Sequence, residues 1–146
     1  MFKFERMVAW QKAVELADRS FEFADGLQQK LQFSIGEQLR RAALSISNNL
    51  AEGSGRRTPA LQRNFYDIAK GSTYEVVSVI AIAQRRNLIS KSDYDWFYQK
   101  GDELASIISG LIDATLREEN SNNRTLREQA ETYGINELDS TSNSPL

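Results

Sequence analysis

The sequence predicts an all-α protein, an antiparallel up-down-up-down four-helix bundle followed by a polar C-terminal tail. Only two prolines occur among the 146 residues, so long stretches contain no residue that breaks a helix. Within these stretches, apolar residues recur at steps of three and four, which is the spacing of one helix face. The segments between the stretches are short, and short connections favour antiparallel packing of neighbouring helices. No alternating strand pattern is present.

The first two helices are predicted from their apolar faces. On the first helix, the predicted inner face consists of Met7, Trp10, Val14, Ala17, Phe21 and Ala24. On the second helix, it consists of Leu39, Ala43, Ile46 and Leu50. Ser34 and Glu37 have the spacing of a capping box, which predicts the start of the second helix. Gly53 and Gly55 predict its end, because glycine accepts the left-handed conformation common just past a helix.

The third helix is predicted to begin at Thr58 as cap, with Pro59 as its first residue. Its predicted inner face consists of Leu61, Phe65, Ile68, Ser72, Val76, Val79 and Ala83. A turn over residues 87–92, capped by Ser90 or Ser92, then leads into the fourth helix. The apolar face of the fourth helix consists of Phe97, Leu104, Ile108 and Leu111. The predicted core includes Trp10, Leu39, Ile46, Phe65, Ile68 and Leu104.

Residues 1–117 are predicted to form the bundle, and residues 118–146 a polar, acidic tail. The tail is rich in Asn, Ser, Thr and Glu, a composition that buries little apolar surface. Leu126, Ala130 and Tyr133 nevertheless fall on one helical face, and Gly134 follows as a stop signal. This pattern indicates a short, separate helix over residues 126–133.

Several kinds of chemistry are excluded or disfavoured by composition. The chain contains no cysteine and no histidine, so it lacks thiolate ligands and the side chain most used for proton transfer. We therefore expect no enzyme, no cofactor and no metal site, although Glu52 and Glu75 remain a conceivable carboxylate pair. No apolar run approaches the ~20 residues that span a bilayer. No signal-peptide pattern is present, and a soluble, cytoplasmic protein is expected.

The charges are unevenly distributed. The net charge is -2, yet residues 31–88 hold eight basic and four acidic side chains. From Glu118 onward there are two basic and six acidic side chains. Arginine pairs well with phosphate, so a basic stripe on this part of the chain is a candidate nucleic-acid-binding surface. Its predicted members are Arg41, Arg56, Arg57, Arg63, Lys70 and Arg85. The alternative interpretation is a set of ordinary solvated charges.

Two of the helices carry more apolar surface than one bundle face requires. The second stripe consists of Ala9, Ala13, Leu16, Phe23 and Leu27 on the first helix, and of Tyr66, Thr73, Val77 and Ile80 on the third. This excess predicts either a tightly packed core or an exposed subunit interface. The second alternative predicts a homo-oligomer.

One stretch of sequence resembles a known family. Residues 45–57 read Ser-Ile-Ser-Asn-Asn-Leu-Ala-Glu-Gly-Ser-Gly-Arg-Arg, and Ala69-Lys70-Gly71-Ser72 follows, with Glu75 one turn later. This pattern resembles the four-helix-bundle or 23S rRNA intervening-sequence proteins, with Leu50 where isoleucine is usual. The matching motif residues are Ser45, Asn49, Glu52, Gly53, Gly55, Arg56, Gly71, Ser72 and Glu75. The resemblance extends from about Arg6 to Arg117.

The resemblance implies a function as well as a fold. It implies a homo-oligomer, with a ring-shaped pentamer favoured, and a non-enzymatic scaffold that binds RNA, DNA or a nucleoprotein partner. Some similar proteins look like the accessory subunit of diversity-generating retroelements, so a reverse transcriptase is one expected partner. The alternative is a protein-protein adaptor with no nucleic-acid role. No membrane association is implied.

Overall fold

Four α-helices account for most of residues 1–134, the part of the chain that the computed structural model describes. Helix α1 comprises Val8–Asp25, α2 comprises Glu37–Ser54, α3 comprises Pro59–Arg85, and α4 comprises Lys91–Thr132. A short 3-10 turn, Lys3–Arg6, precedes α1. No strand occurs within residues 1–134, which confirms the predicted all-α class.

The helices form a closed four-helix bundle. Helix α2 packs against α1 and α3, while α4 packs against α3 and α1. Ion pairs across the α1–α4 seam join Lys12 to Glu103 and Arg19 to Asp93. The two chain segments therefore run in opposite directions, since the later residue of α1 meets the earlier residue of α4. The predicted bundle topology is confirmed.

The core contains three of the six residues predicted for it. Leu39, Ile46 and Leu104 are at most 1% exposed. Trp10 and Phe65 are half-buried, and Trp10 packs against the margin of the core. The prediction for Ile68 is wrong, because 51% of this side chain is exposed.

Small residues explain why the inner faces of α1 and α3 are rotated from the predicted ones. On α1, the core-facing side chains include Ala9, Ala13 and Leu16, which belong to the predicted second stripe, whereas Val14 is 39% exposed. On α3, Tyr66 and Ala69 point inward, with Thr73 and Ile80 also buried. Alanine and serine at the contact let helix axes approach closely and fill space at interior density. Larger apolar residues, Leu61 and Ile68 among them, remain outside.

The predicted caps of the last two helices are confirmed. Thr58 Oγ1 accepts a hydrogen bond from the Leu61 amide, and Pro59 is the first residue of α3. Ser90 Oγ accepts from the Asp93 amide at 3.1 Å, so Ser90 rather than Ser92 caps α4. Both caps satisfy backbone donors that have no partner within the helix.

The start signal predicted for α2 is wrong, whereas the helix ends at Gly55 as predicted but without the expected conformation. Ser34 Oγ donates to the Leu31 carbonyl, and no side chain caps the helix. One α-helical turn, Gln29–Leu31, and a π-helical turn, Gln32–Gly36, lead directly into α2 instead. At the other end, Gly53 lies inside the helix, and Gly55 follows it with φ -88°. The helix therefore ends without a left-handed glycine.

Helix α4 continues well past the predicted bundle boundary at residue 117. It is a single helix to Thr132, so residues 126–132 are helical as predicted but continue α4 instead of forming an appended helix. Its 42 residues span about 63 Å, compared with about 40 Å for α3. Leu126 and Tyr133 are 62% and 79% exposed, so the last turns project from the bundle. Residues 135–146 of the predicted tail lie outside the described residues.

Candidate nucleic-acid interface

A hydrogen bond between two motif serines joins α2 to α3, and a motif asparagine supports it from within α2. Ser45 Oγ lies 2.7 Å from Ser72 Oγ across the helix pair. Asn49 Nδ2 donates to the Ser45 carbonyl at 2.8 Å and to Ser45 Oγ at 3.1 Å. Ser72 is only 7% exposed, so these hydrogen bonds satisfy polar groups that would otherwise be buried without partners. This cluster explains structurally why the motif combines two serines with an asparagine.

At Gly53, the backbone of α2 lies directly against side chains of α3, at the end of the hairpin. A Cβ atom at this position would lie 2.7 Å from Tyr66 Cε1 and 3.0 Å from Phe65 Cβ. Only glycine fits without displacing these rings. A Cβ atom at Gly55, in contrast, would meet only the Glu52 carbonyl oxygen within 4 Å, at 3.6 Å. Burial raises the pKa of the Tyr66 phenol at this contact.

Arg56 is held against the bundle by two partners. Its guanidinium forms an ion pair with Glu52 one turn earlier. The same group lies 4.6 Å from the centre of the Phe65 ring, a cation–π distance. Arg57, the next residue, is exposed, and no carboxylate within the described residues forms an ion pair with it. The two adjacent arginines therefore differ, since Arg57 alone presents its full charge to solvent.

The remaining motif residues, Gly71 and Glu75, lie on the exposed surface of α3. A Cβ at Gly71 would meet nothing within 4 Å, so packing within one chain does not require glycine there. Glu52 is paired with Arg56. Across residues 1–134, no group of three or more potential metal ligands occurs.

The predicted basic residues do not form one compact patch. Arg63 forms an ion pair with Glu119 of α4 at 2.8 Å, and Lys70 lies 5.9 Å from the Tyr74 ring centre. Arg41 donates to Gln38 Oε1, and Arg85 ends α3 with its side chain exposed. The 27 residues of α3 place Arg57 and Arg85 about 40 Å apart. The set is thus spread along the bundle and partly neutralised.

Charge is nevertheless segregated by helix. Residues 37–88, which contain the α2–α3 hairpin, hold eight basic and four acidic side chains. Helix α1 holds two basic and four acidic side chains, and α4 holds five and nine. Because α1 and α4 pack together, the acidic helices share one side and the hairpin forms the other. The bundle therefore has a basic and an acidic side.

An open groove of about 990 Å³ lies on the α2 surface near the π-helical turn. Phe33 projects from that turn with 84% of its surface exposed. The groove is lined by Phe21, Gln32, Phe33, Glu37, Arg40, Arg41, Leu44, Ser45, Asn48 and Asn49. The sequence analysis did not identify Phe33 as a functional residue. The available signal was that this phenylalanine falls on none of the predicted apolar helix faces. We call this feature the Phe33 groove.

The family assignment rests on the match between this chain and known sequence families. The pattern of the family described as 23S rRNA-intervening sequence protein matches residues 5–110, which is well over half of the chain. The chain belongs to this family. No curated protein matches the chain significantly.

The chain also exposes an apolar stripe on α3. Leu61, Ile68 and Ile82 are 46%, 51% and 51% exposed. The exposed Glu75 lies between Ile68 and Ile82, so that the four residues follow one another at intervals of seven. Such spacing places all four on one side of a helix. Among residues 1–134, every helix is too short or too polar to span a lipid bilayer.

Proposed function

We propose that this protein is a non-enzymatic, oligomeric scaffold that binds nucleic acid or a nucleoprotein partner through its α2–α3 side. The observation that carries this proposal is the charge segregation of the bundle. The hairpin region has a net charge of +4, whereas α4 has a net charge of -4. A polyanion is attracted to the first side and repelled by the second, so association is oriented by the protein's field.

The exposed arginines supply the contacts in this proposal. Arg57 and Arg85 form no ion pair within the described residues, so their guanidinium groups are available to phosphate oxygens. Contacts of this kind go to the nucleic-acid backbone and release counterions, and they therefore tolerate many sequences. Sequence-tolerant recognition suits a scaffold better than a regulator that must find one site.

The oligomeric part of the proposal rests on the exposed stripe of Leu61, Ile68 and Ile82. Apolar side chains in regular array on a helix surface favour association with another helix. A pentamer is the stoichiometry we expect from the family resemblance. Light scattering coupled to size exclusion should give a multiple of 16.6 kDa, and a monomer mass at micromolar concentration would reject this part.

A nucleoprotein partner extends the same idea. In the form suggested by the resemblance, the scaffold is an accessory subunit that binds a reverse transcriptase together with its RNA. The second candidate function is a protein-protein adaptor without a nucleic-acid role. The apolar stripe on α3 would support the adaptor where it contacts a different protein instead of a second copy of the chain, because apolar surface packs against protein and not against phosphate.

A binding titration with a charge-matched control separates these functions. The test variant carries Arg57→Gln and Arg85→Gln on the basic side. The control carries Arg124→Gln and Arg127→Gln on the projecting part of α4, and it loses the same two charges. We expect weaker RNA and DNA binding only in the test variant. Its log Kd against log salt slope should be shallower by about 1.4–1.8.

Equal effects of the two variants would show that net charge alone governs binding. That result would contradict a defined binding surface. If the native protein binds no nucleic acid at low salt, the adaptor is the correct function.

A further inference from the structure

Phe33 is an aromatic side chain held in an exposed position. It is 84% exposed, although burying a phenylalanine side chain would stabilise the fold. The π-helical turn that carries it, Gln32–Gly36, is an uncommon element that is frequent at functional sites. Nothing in the packing of the bundle accounts for this aromatic ring.

Hydrogen bonds anchor the turn beneath the ring. Gln32 Nε2 donates to the carbonyls of Ala24 and Leu27, at 2.9 and 2.8 Å. Gln32 Oε1 accepts from Arg40 Nη2 at 2.8 Å, and Arg40 also pairs with Asp25 at 2.6 Å. The turn is therefore fastened to the end of α1 and to α2. Phe33 projects from a braced segment, which lowers the entropic cost of binding.

The walls of the Phe33 groove combine apolar and polar groups. Leu44 is 44% exposed, and Phe21 lies beneath the Arg40 guanidinium, 6.0 Å from it. Arg41 and Asn48 are exposed on the same stretch of α2. The lining contains Arg40, Arg41 and Glu37; Arg40 is paired with Asp25, whereas Glu37, like Arg41, forms no ion pair among the described residues. Arg41 is thus the available cation, with no ion-pair partner among the described residues.

We propose that the Phe33 groove binds an unpaired nucleotide of single-stranded nucleic acid. The Phe33 ring stacks on the base, Arg41 pairs with a phosphate, and the Asn48 amide hydrogen-bonds the base edge. Stacking platforms beside cationic groups are the general means of holding single strands, and amide side chains suit base edges. A base paired inside a duplex has no free face for Phe33, so single strands are selected. This inference rests on the function proposed above.

Fluorescence anisotropy with labelled oligonucleotides tests the proposal. The probes are single-stranded RNA, single-stranded DNA and blunt duplexes of the same sequence, at one salt concentration. We expect Phe33→Ala to weaken single-strand binding about 5- to 150-fold, which corresponds to ~1–3 kcal/mol of stacking. Duplex binding should change less than about twofold, because Phe33 has no base to stack on. Equal loss with RNA and DNA is expected, since none of the three proposed contacts involves the sugar.

Matched variants separate stacking from general hydrophobicity. Phe33→Leu keeps the apolar character but lacks a π face, so it should lose affinity as Phe33→Ala does. Tyr133→Ala removes an aromatic ring of similar exposure, 79%, outside the groove, and should bind normally. Phe33→Trp should retain affinity, and its added indole fluorescence should be quenched by single strands but not by duplexes. Arg41→Gln should make the single-strand salt slope shallower by about 0.7.

The outcomes distinguish this inference from the proposed function. If Phe33→Ala binds single strands normally while Arg57→Gln with Arg85→Gln binds weakly, the groove proposal is overturned and the scaffold stands. If the native protein binds no nucleic acid, both proposals fail. If Phe33→Ala lowers the oligomer mass in light scattering, the groove is a subunit contact and the inference is overturned.

Discussion

Replacing Gly53 by alanine tests the account of the α2–α3 contact. The new methyl group would lie 2.7 Å from Tyr66 Cε1 and 3.0 Å from Phe65 Cβ. The Tyr66 ring is 5% exposed and has little room to move. Overpacking of this kind costs ~1–3 kcal/mol. Alanine recovers up to ~1 kcal/mol of helix propensity, so we expect a net destabilisation of about 0.5–2 kcal/mol.

The matched control is Gly110→Ala on α4, where a Cβ would meet nothing within 4 Å. Only the gain in helix propensity applies there, so this variant should be about 0.5–1 kcal/mol more stable than the native protein. Urea unfolding followed by circular dichroism gives both values. If Gly53→Ala is as stable as Gly110→Ala, the close approach at Gly53 is not real.

Three further predictions concern the core, the α1–α4 seam and the projecting helix. Ile46→Ala and Leu104→Ala, at positions at most 1% exposed, should each cost ~2–5 kcal/mol in chemical denaturation; losses below about 1 kcal/mol would place both outside the core. The Lys12–Glu103 hydrogen bond lowers the pKa of Glu103 from its usual 4.5 and raises that of Lys12 from 10.5. The contribution of the Glu103 carboxylate to stability is therefore present above pH 4.5 and is lost as the pH falls through its lowered pKa. The contribution of the Lys12 ammonium is present below pH 10.5 and is lost as the pH rises through its raised pKa. When the free energy of unfolding is measured as a function of pH, the Glu103→Gln variant should lack this pH dependence. Identical pH profiles for the native protein and the variant would contradict the prediction. A chain ending at Arg117 should keep its helical bundle and bind polyanions more tightly at low salt, because its net charge is +2 instead of -2; dissociation or early melting would show that the last turns of α4 support the fold.

Sequence reasoning succeeded where one side chain determines a local feature. Thr58 and Ser90 cap their helices as predicted, because a hydroxyl at a helix start has few better partners than the free amides. It failed at Ile68, which lies on an apolar stripe as good as the one around Tyr66. Hydrophobic periodicity cannot choose between two such stripes. The choice depends on which small residues on the neighbouring helix, Gly53 among them, allow close approach.

The candidate site was only partly predictable for a similar reason. The motif residues Ser45 and Ser72 were found from their pattern, but their pairing at 2.7 Å depends on the register of two helices. The Phe33 groove was not found, since a π-helical turn has no simple sequence signature. The end of α4 was misplaced because an Asn-rich composition favours a tail, whereas a helix already begun can propagate through it.

The salt dependence of nucleic-acid binding by the native protein tests the central claim most directly. Titration of labelled single-stranded RNA across several salt concentrations gives the slope of log Kd against log salt. At least three phosphate contacts, from Arg41, Arg57 and Arg85, predict weakening with a slope of about 2 or steeper. A slope near zero, or no binding at the lowest salt concentration, would contradict the claim that the α2–α3 side is a nucleic-acid-binding surface.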